Sequence, residues 1–348
     1  YLWHWPLLSF AQVIESATPA PAIRAAAVGA AFVLAWLTYR LVERPLRHRP
    51  GRATVAVLCA LMLAVALAGA YTYRRDGLPK RAAVVESQQQ QQALILVEDK
   101  ANATACKKRY GFDSLYEYCL LEKIDQAPTV ALIGDSHAYH VVAGMTRYYS
   151  GLGENLLFLG TRIPYWGLPP GEDGYQIATQ AMLELALNTP SIKTVLLSTA
   201  TRLEDHSAPG KALVAAARET LRRFSAAGKQ LIYLDDIPYL SFEPRSCIRR
   251  AAVAASTTRT QCAMPRSDFD KATPQHPVVL RQLAAEFPAM QVFNTAEHLC
   301  DATSCWAILD GKMMYRDLHH LSYDGDLYIG EKFAQKQHSI RAKAAQKP

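Results

Sequence analysis

The sequence predicts an α/β domain, a parallel sheet with helices on both faces, preceded by transmembrane α-helices. Three observations predict it. From Thr129 onward, short apolar runs alternate with longer segments of helical period. Before residue 74 lie two apolar spans of bilayer length. The first apolar run of the later part, Thr129-Val-Ala-Leu-Ile133, stops at Gly134-Asp135-Ser136-His137. Such a turn leaves a serine at the carboxyl end of a sheet, where open α/β folds bind ligands.

The N-terminal elements come first. Tyr1 to Phe10 is aromatic-rich and apolar and reads as the tail of something longer. Ala20 to Tyr39 reads as a membrane helix, marred by Arg24 near one end. Ala53 to Tyr73 carries no charge, and at 1.5 Å per residue it spans roughly 30 Å, the hydrocarbon thickness. Residues 1–73 are therefore expected to be transmembrane. Arg40, Arg44, Arg47, Arg49 and Arg52 bracket the turn between the two spans, the bias of a cytoplasmic loop. That places everything after Tyr73 outside. Arg74, Arg75, Lys80 and Arg81 oppose this, but long domains translocate largely regardless of such charge.

Composition agrees. Hydrophobic residues make up 50% of the 348, concentrated in positions 1–73, and the net charge is +7. Much of that excess borders the apolar spans, so the expectation is membrane lipid and no nucleic acid as a partner. Of seven cysteines, Cys59 lies in an apolar span. The others, Cys106, Cys119, Cys247, Cys262, Cys300 and Cys305, suit disulfides in an oxidising compartment, with sequential pairing expected. None of their spacings resembles a zinc site, and no metal is expected.

Residues 74–127 read as a linker outside the membrane, and 128–348 as the catalytic domain. Strands are expected at 129–134, 155–159, 192–198, 229–234 and 291–294. Helices are expected at 138–150, 175–188, 211–227, 277–287 and 324–337. Trp306–Leu309 and Met313–Arg316, separated by Asp310-Gly311, read as a hairpin. It would deliver Asp317 and His320.

Those residues carry the chemistry. Ser136 opens a helix, whose free N–H groups and partial positive charge favour a developing oxyanion. The plain structural alternative is that Asp135 or Ser136 caps the helix. The second segment, Asp317-Leu-His-His-Leu-Ser322, tips the balance. His320 would take the serine proton, and Asp317, three residues earlier, would fix its tautomer. The spacing selects His320 over His319.

Gly134-Asp135-Ser136 and Asp317-x-x-His320 resemble the first and last blocks of the SGNH hydrolase superfamily, over roughly 128 to 337. The resemblance implies a three-layer α/β/α domain with Ser136, Asp317 and His320 as its triad. It implies an oxyanion hole that includes the N–H groups of Ser136 and a glycine, for which Gly160 is the candidate. The family's asparagine is missing: the chain reads Ser198-Thr-Ala-Thr-Arg202, so Thr199, Thr201 or Arg202 would substitute. Tyr1-Leu-Trp-His-Trp-Pro-Leu7 and Leu41-Val-Glu-Arg-Pro-Leu-Arg47 look like the last membrane helices of the type-three membrane acyltransferase family. One branch of that family carries a fused SGNH domain outside the membrane. The earlier helices are not in this sequence, which looks like the C-terminal portion of such a protein.

The resemblance implies O-acyl transfer, usually O-acetyl transfer, to a cell-surface glycan such as O-antigen, exopolysaccharide or peptidoglycan, through an acyl-serine. The acyl donor it implies is acetyl-CoA, used by the membrane part, with no cofactor bound by this domain. It places the protein in the bacterial inner membrane with its C-terminal domain in the periplasm or outside the cell. Trp166 and Arg202 are candidates for substrate binding; the loops at 160–174 and 235–276 also offer Tyr165, Tyr175, Tyr239 and Phe242. Two alternatives remain: an esterase that removes the same acetyl groups, and a non-catalytic glycan-binding or scaffolding domain.

Overall fold

The computed structural model describes residues 2–15, 18–48, 51–77, 99–114, 116–168, 174–247 and 262–345. They form two units, one drawn from 1–92 and 245–261, the other from 93–244 and 262–348. Residues 78–98 of the expected linker, including the glutamines at 88–92, lie outside the described residues.

In the first unit, helices span His4–Glu15, Pro21–Thr38 and Arg52–Arg74. The second continues through a π-turn at Tyr39–Glu43 into Arg44–His48. Pro45 explains the irregularity: it has no N–H to give back along the ladder, so the register widens just before it. Pro21–Arg47 and Arg52–Arg74 are long and apolar enough to cross a membrane. Their side chains point outward, with Phe32 74% and Val65 73% exposed, which costs nothing in lipid and much in water. Trp3 Nε1 donates to Thr38 Oγ1 at 2.9 Å, tying the first helix to the second.

The second unit is built on a sheet whose strands we label β1 (Tyr118–Leu121), β2 (Val130–Gly134), β3 (Leu156–Gly160), β4 (Thr194–Ser198), β5 (Gln230–Asp235), β6 (Ala263–Pro265) and β7 (Gln291–Asn294). The main sheet runs β1-β3-β2-β4-β5-β7. Its five expected strands are parallel, while β1 adds to the edge antiparallel to β3. The sheet is therefore mixed. The expected linker is also corrected: from residue 99 it carries a helix, Lys100–Tyr110, as well as β1, and Cys106–Cys119 joins the two. Asp99 caps that helix by accepting from Asn102 N–H, and Gly111 ends it in the left-handed region.

Both faces of the sheet are covered. Ala131, Ile133, Leu157, Leu159, Val195, Leu197, Leu231 and Tyr233 share a core with Met182, Leu183, Ala217, Leu221, Phe224 and Leu283 of three helices, Tyr175–Asn188, Ala208–Ala226 and His276–Glu286. On the opposite face Phe293 of β7 meets Phe333 at 5.3 Å, and Phe333 meets Tyr148 at 5.2 Å. Those rings belong to helices Val142–Ser150 and Tyr323–Ala345. The two helices approach through glycine: a Cβ on Gly330 would lie 2.5 Å from Gly144 Cα. Asp326 completes the contact. Its carboxylate accepts from the N–H groups of Ala143 and Gly144 at 2.9 and 2.8 Å, capping a helix whose own N-cap, Val141, has no side chain to do so.

The expected hairpin forms at Asp310-Gly311 between Ile308–Leu309 and Lys312–Met313. Both turn residues have positive φ, 52° and 75°, as a two-residue turn of this hand requires. Cys300 pairs with Cys305, and Cys247 and Cys262 are also disulfide-bonded.

Candidate active site

The site starts where β2 ends. Gly134 is required there because a Cβ would lie 1.7 Å from the Ser198 carbonyl oxygen of β4. Asp135 then caps the short helix Ser136–Tyr139 by accepting from His137 N–H at 2.8 Å. Its other oxygen accepts from Thr199 Oγ1 at 2.8 Å and Ala200 N–H at 2.9 Å, fixing the turn to the end of β4. Burial pushes the Asp135 carboxyl up from its ordinary value, against these bonds. The capping role falls to Asp135 and leaves Ser136 exposed.

The segment after the hairpin comes back over this turn. Leu240 N–H donates to Leu318 O at 2.7 Å and Arg316 N–H to His320 O at 3.0 Å, holding the loop in place. It brings the three predicted residues together. His320 Nε2 lies 2.8 Å from Ser136 Oγ, and His320 Nδ1 lies 3.0 Å from each Asp317 oxygen. Asp317 also accepts from the N–H groups of His319 and His320. Burial pushes its carboxyl up, but these backbone donors and the His320 imidazole outweigh that and hold it below its ordinary value. Burial also holds His320 below its ordinary value, although Asp317 pulls the other way. A neutral imidazole at the serine, with its far nitrogen on a carboxylate, can accept the hydroxyl proton.

Other candidates land elsewhere. Gly160 ends β3 opposite both Gly134 and Tyr118. Thr161 N–H donates to Gly134 O, so alternation along the strand turns the Gly160 N–H toward β1 and into the sheet ladder. The Ser136 N–H, first in its helix, has no intrahelical acceptor and remains beside Oγ. Thr199 Oγ1 is committed to Asp135 and accepts from Thr201 N–H.

The substrate-binding expectations for Trp166 and Arg202 are corrected by burial. Trp166 is 5% exposed and packs on Phe224 at 5.1 Å, with the Arg223 guanidinium over its other side at 4.7 Å. No sugar can reach its face. Tyr165 is buried too, its hydroxyl 3.1 Å from that of Tyr233. Arg202 is turned inward. It donates to Ile237 O at 2.8 Å and pairs with Asp236 Oδ2 at 3.0 Å and Asp235 Oδ1 at 3.5 Å. Tyr239, by contrast, is exposed beside His319 with ring centroids 5.5 Å apart.

Sequence reasoning missed what lies under Ser136, Asp317 and His320. His137, the residue after the serine, is buried, and its Nδ1 sits 2.6 Å from Asp236 Oδ1. Asp235 joins the same network through His276 Nε2 at 2.9 Å. The signal was the pair Asp235-Asp236 at the carboxyl end of β5, the edge where sites form. The His137 ring contacts those of His140, His319 and His320. Among the described residues, two groups have donor atoms close enough for a metal ion: His137, His319 and His320, and His137, His140 and Asp236.

Fold and site together define an α/β domain with a serine, a histidine and an aspartate aligned at the carboxyl edge of its sheet. The family model that matches residues 105–335 is described as the SGNH domain fused to AT3 domains, and this chain belongs to that family. Comparison with curated protein sequences finds no match. Among solved structures, the chain is similar to the periplasmic domain of a lipopolysaccharide acetyltransferase of Salmonella ser. Paratyphi A. That likeness has 16% identity and a TM-score of 0.46, and covers 61% of this chain and 84% of that one. A second likeness is to a candidate platelet activating factor from Streptococcus pneumoniae, with 13% identity and a TM-score of 0.36, covering 74% and 99%.

Proposed function

We propose that this chain transfers an acyl group, an acetyl in the first instance, to a hydroxyl of a cell-surface glycan through an acyl-serine. The observation that carries the reading is the alignment of Ser136 Oγ, His320 and Asp317 within hydrogen-bond distance. Ser136 attacks the donor carbonyl while His320 Nε2 takes its proton. The Ser136 N–H faces the developing oxyanion. As the intermediate collapses, the leaving group departs with the proton from His320. A sugar hydroxyl then attacks the acyl-serine, gives its proton to His320, and Ser136 recovers it. Asp317 stays ionised and steadies the imidazolium. Water at the second step would make the same site an esterase.

Membership of a family fused to AT3 domains supports a membrane protein; we further propose that its acyl donor begins as acetyl-CoA on the far side of the bilayer. The disulfides and the two apolar helices support an inner-membrane location with this domain in the periplasm. O-antigen, exopolysaccharide and peptidoglycan are the acceptor classes proposed.

The test is capture of the intermediate. Brief incubation with nitrophenyl acetate, acid quench and peptide mass spectrometry should place one acetyl on Ser136. Ser136→Ala should lose the adduct and on the order of 10⁴-fold in turnover. Full turnover in that variant would end the proposal.

A further inference from the structure

Three imidazoles meet at the mouth of the site: His137 below, His320 on the serine, and His319 above. The donor atoms of all three lie within 4.8 Å of one another. Their ring centroids are 5.7 Å apart for His137 and His319, 4.9 Å for His137 and His320, and 4.2 Å for His319 and His320. A tetrahedral zinc holds each imidazole nitrogen at about 2.0–2.1 Å, which puts ligated ring centroids roughly 5 Å apart. The observed triangle brackets that spacing.

Chemistry agrees with geometry. His137 gives Nδ1 to Asp236 and His320 gives Nδ1 to Asp317. Two of the three rings are thus held by carboxylates through one nitrogen, which leaves Nε2 as the donor. This carboxylate–histidine pairing is how proteins orient metal-binding imidazoles. His319 completes the set from the surface, where its ring has no hydrogen-bond partner among the described residues. Arg202, 3.0 Å from Asp236 Oδ2, offsets that carboxylate and keeps it in a supporting role. The deeper group is a poorer site, because Asp236 is already paired and His140 Nδ1 accepts from Leu321 N–H at 3.3 Å.

We propose that His137, His319 and His320 form a site for a zinc-like divalent cation whose binding switches the serine centre off. The cation would bond to His320 Nε2, the atom that otherwise accepts the Ser136 proton, and the serine hydroxyl or a water would fill the fourth position. Binding is then competitive with catalysis, not part of it. The switching half rests on the proposed use of His320 as base; the binding half does not.

The experiment uses the whole chain in detergent micelles, stripped with a chelator that is then removed. Zinc chloride is titrated by calorimetry, and nitrophenyl acetate hydrolysis is followed at the same zinc concentrations. Wild type should bind about one equivalent with micromolar or tighter affinity and lose tenfold or more of its hydrolysis. His319→Ala should keep most of its zinc-free hydrolysis, weaken zinc binding at least about tenfold and resist inhibition. Ser136→Ala should bind zinc while hydrolysing nothing. Absence of binding in wild type, or His319→Ala binding and inhibited like wild type, overturns the inference. Full hydrolysis by Ser136→Ala, with zinc binding intact, would instead remove the nucleophile reading and leave the cation site standing.

Discussion

Arg202 separates a structural role from a substrate-binding one, and replacing it with methionine tests which holds. The side chain is 15% exposed, so solvent screens its partners weakly. Methionine keeps most of the aliphatic stem and removes the guanidinium. Asp236, 2% exposed at its side chain, then loses the cation 3.0 Å from Oδ2 and keeps His137 and the Ile237 N–H at Oδ1. The Ile237 carbonyl loses its donor at 2.8 Å. Asp235 loses least, since its contact is 3.5 Å long and His276 remains at 2.9 Å. Breaking a buried pair by removing one partner costs about 3–5 kcal/mol, because a charge is left without compensation. The surviving bonds to Asp236 place the expected loss near the lower end, about 3 kcal/mol. Urea denaturation, followed by near-ultraviolet circular dichroism, reads the stability; KM for nitrophenyl acetate in the folded protein should stay within about twofold. A variant of unchanged stability whose KM rises about tenfold would refute the argument and return Arg202 to the substrate.

Three further outcomes are expected. Trp166→Ala should cost about 3–5 kcal/mol in the same denaturation assay, as loss of a buried aromatic does, and should lower small-ester and glycan rates alike per folded molecule. A selective loss of glycan acylation would put a sugar on that ring after all. Asp317→Asn should lower turnover on the order of 10⁴-fold by releasing the His320 tautomer, measured with nitrophenyl acetate; a loss under about tenfold would mean that another group orients the base. In chelator-containing buffer, kcat/KM should fall with decreasing pH through a value below the ordinary 6.5 of histidine, because burial lowers His320 and only its neutral form accepts the serine proton. An acid limb centred at or above 6.5 would contradict the burial seen here.

The parallel strands were legible because each is a short apolar run between turn residues, and β2 to β5 are almost wholly buried. The edge strand β1 was not. Tyr118-Cys-Leu-Leu121 is four residues long with alternate burial, and nothing local separates it from a loop that happens to be apolar. The helix expected over 138–150 breaks at His140-Val141, where His140 turns to receive the Leu321 N–H from another part of the chain. The same contrast runs through the site. Ser136, Asp317 and His320 stood out because each lies in a short local motif, Gly134-Asp135-Ser136 or Asp317-x-x-His320. His137 and Asp236 belong to no such motif pair, and only the folded contact between them, across 99 positions, reveals them. Trp166 and Arg202 were judged by residue type, as a stacking face and a free cation. Burial decided otherwise, and burial is a property of the packed molecule.

The contact between helices Val142–Ser150 and Tyr323–Ala345 also ties the two ends of the site together. Ser136 and His320, the proposed nucleophile and base, stand 184 positions apart. What seats the later segment beside the earlier one is the Gly144–Gly330 approach and the reach of Asp326 across to the first turn of the other helix. A chain ending just before residue 323 would keep Asp317 and His320 but lack this helix contact. On the proposed reading, the serine therefore has its base only in the folded domain, where segments far apart in the chain are brought together.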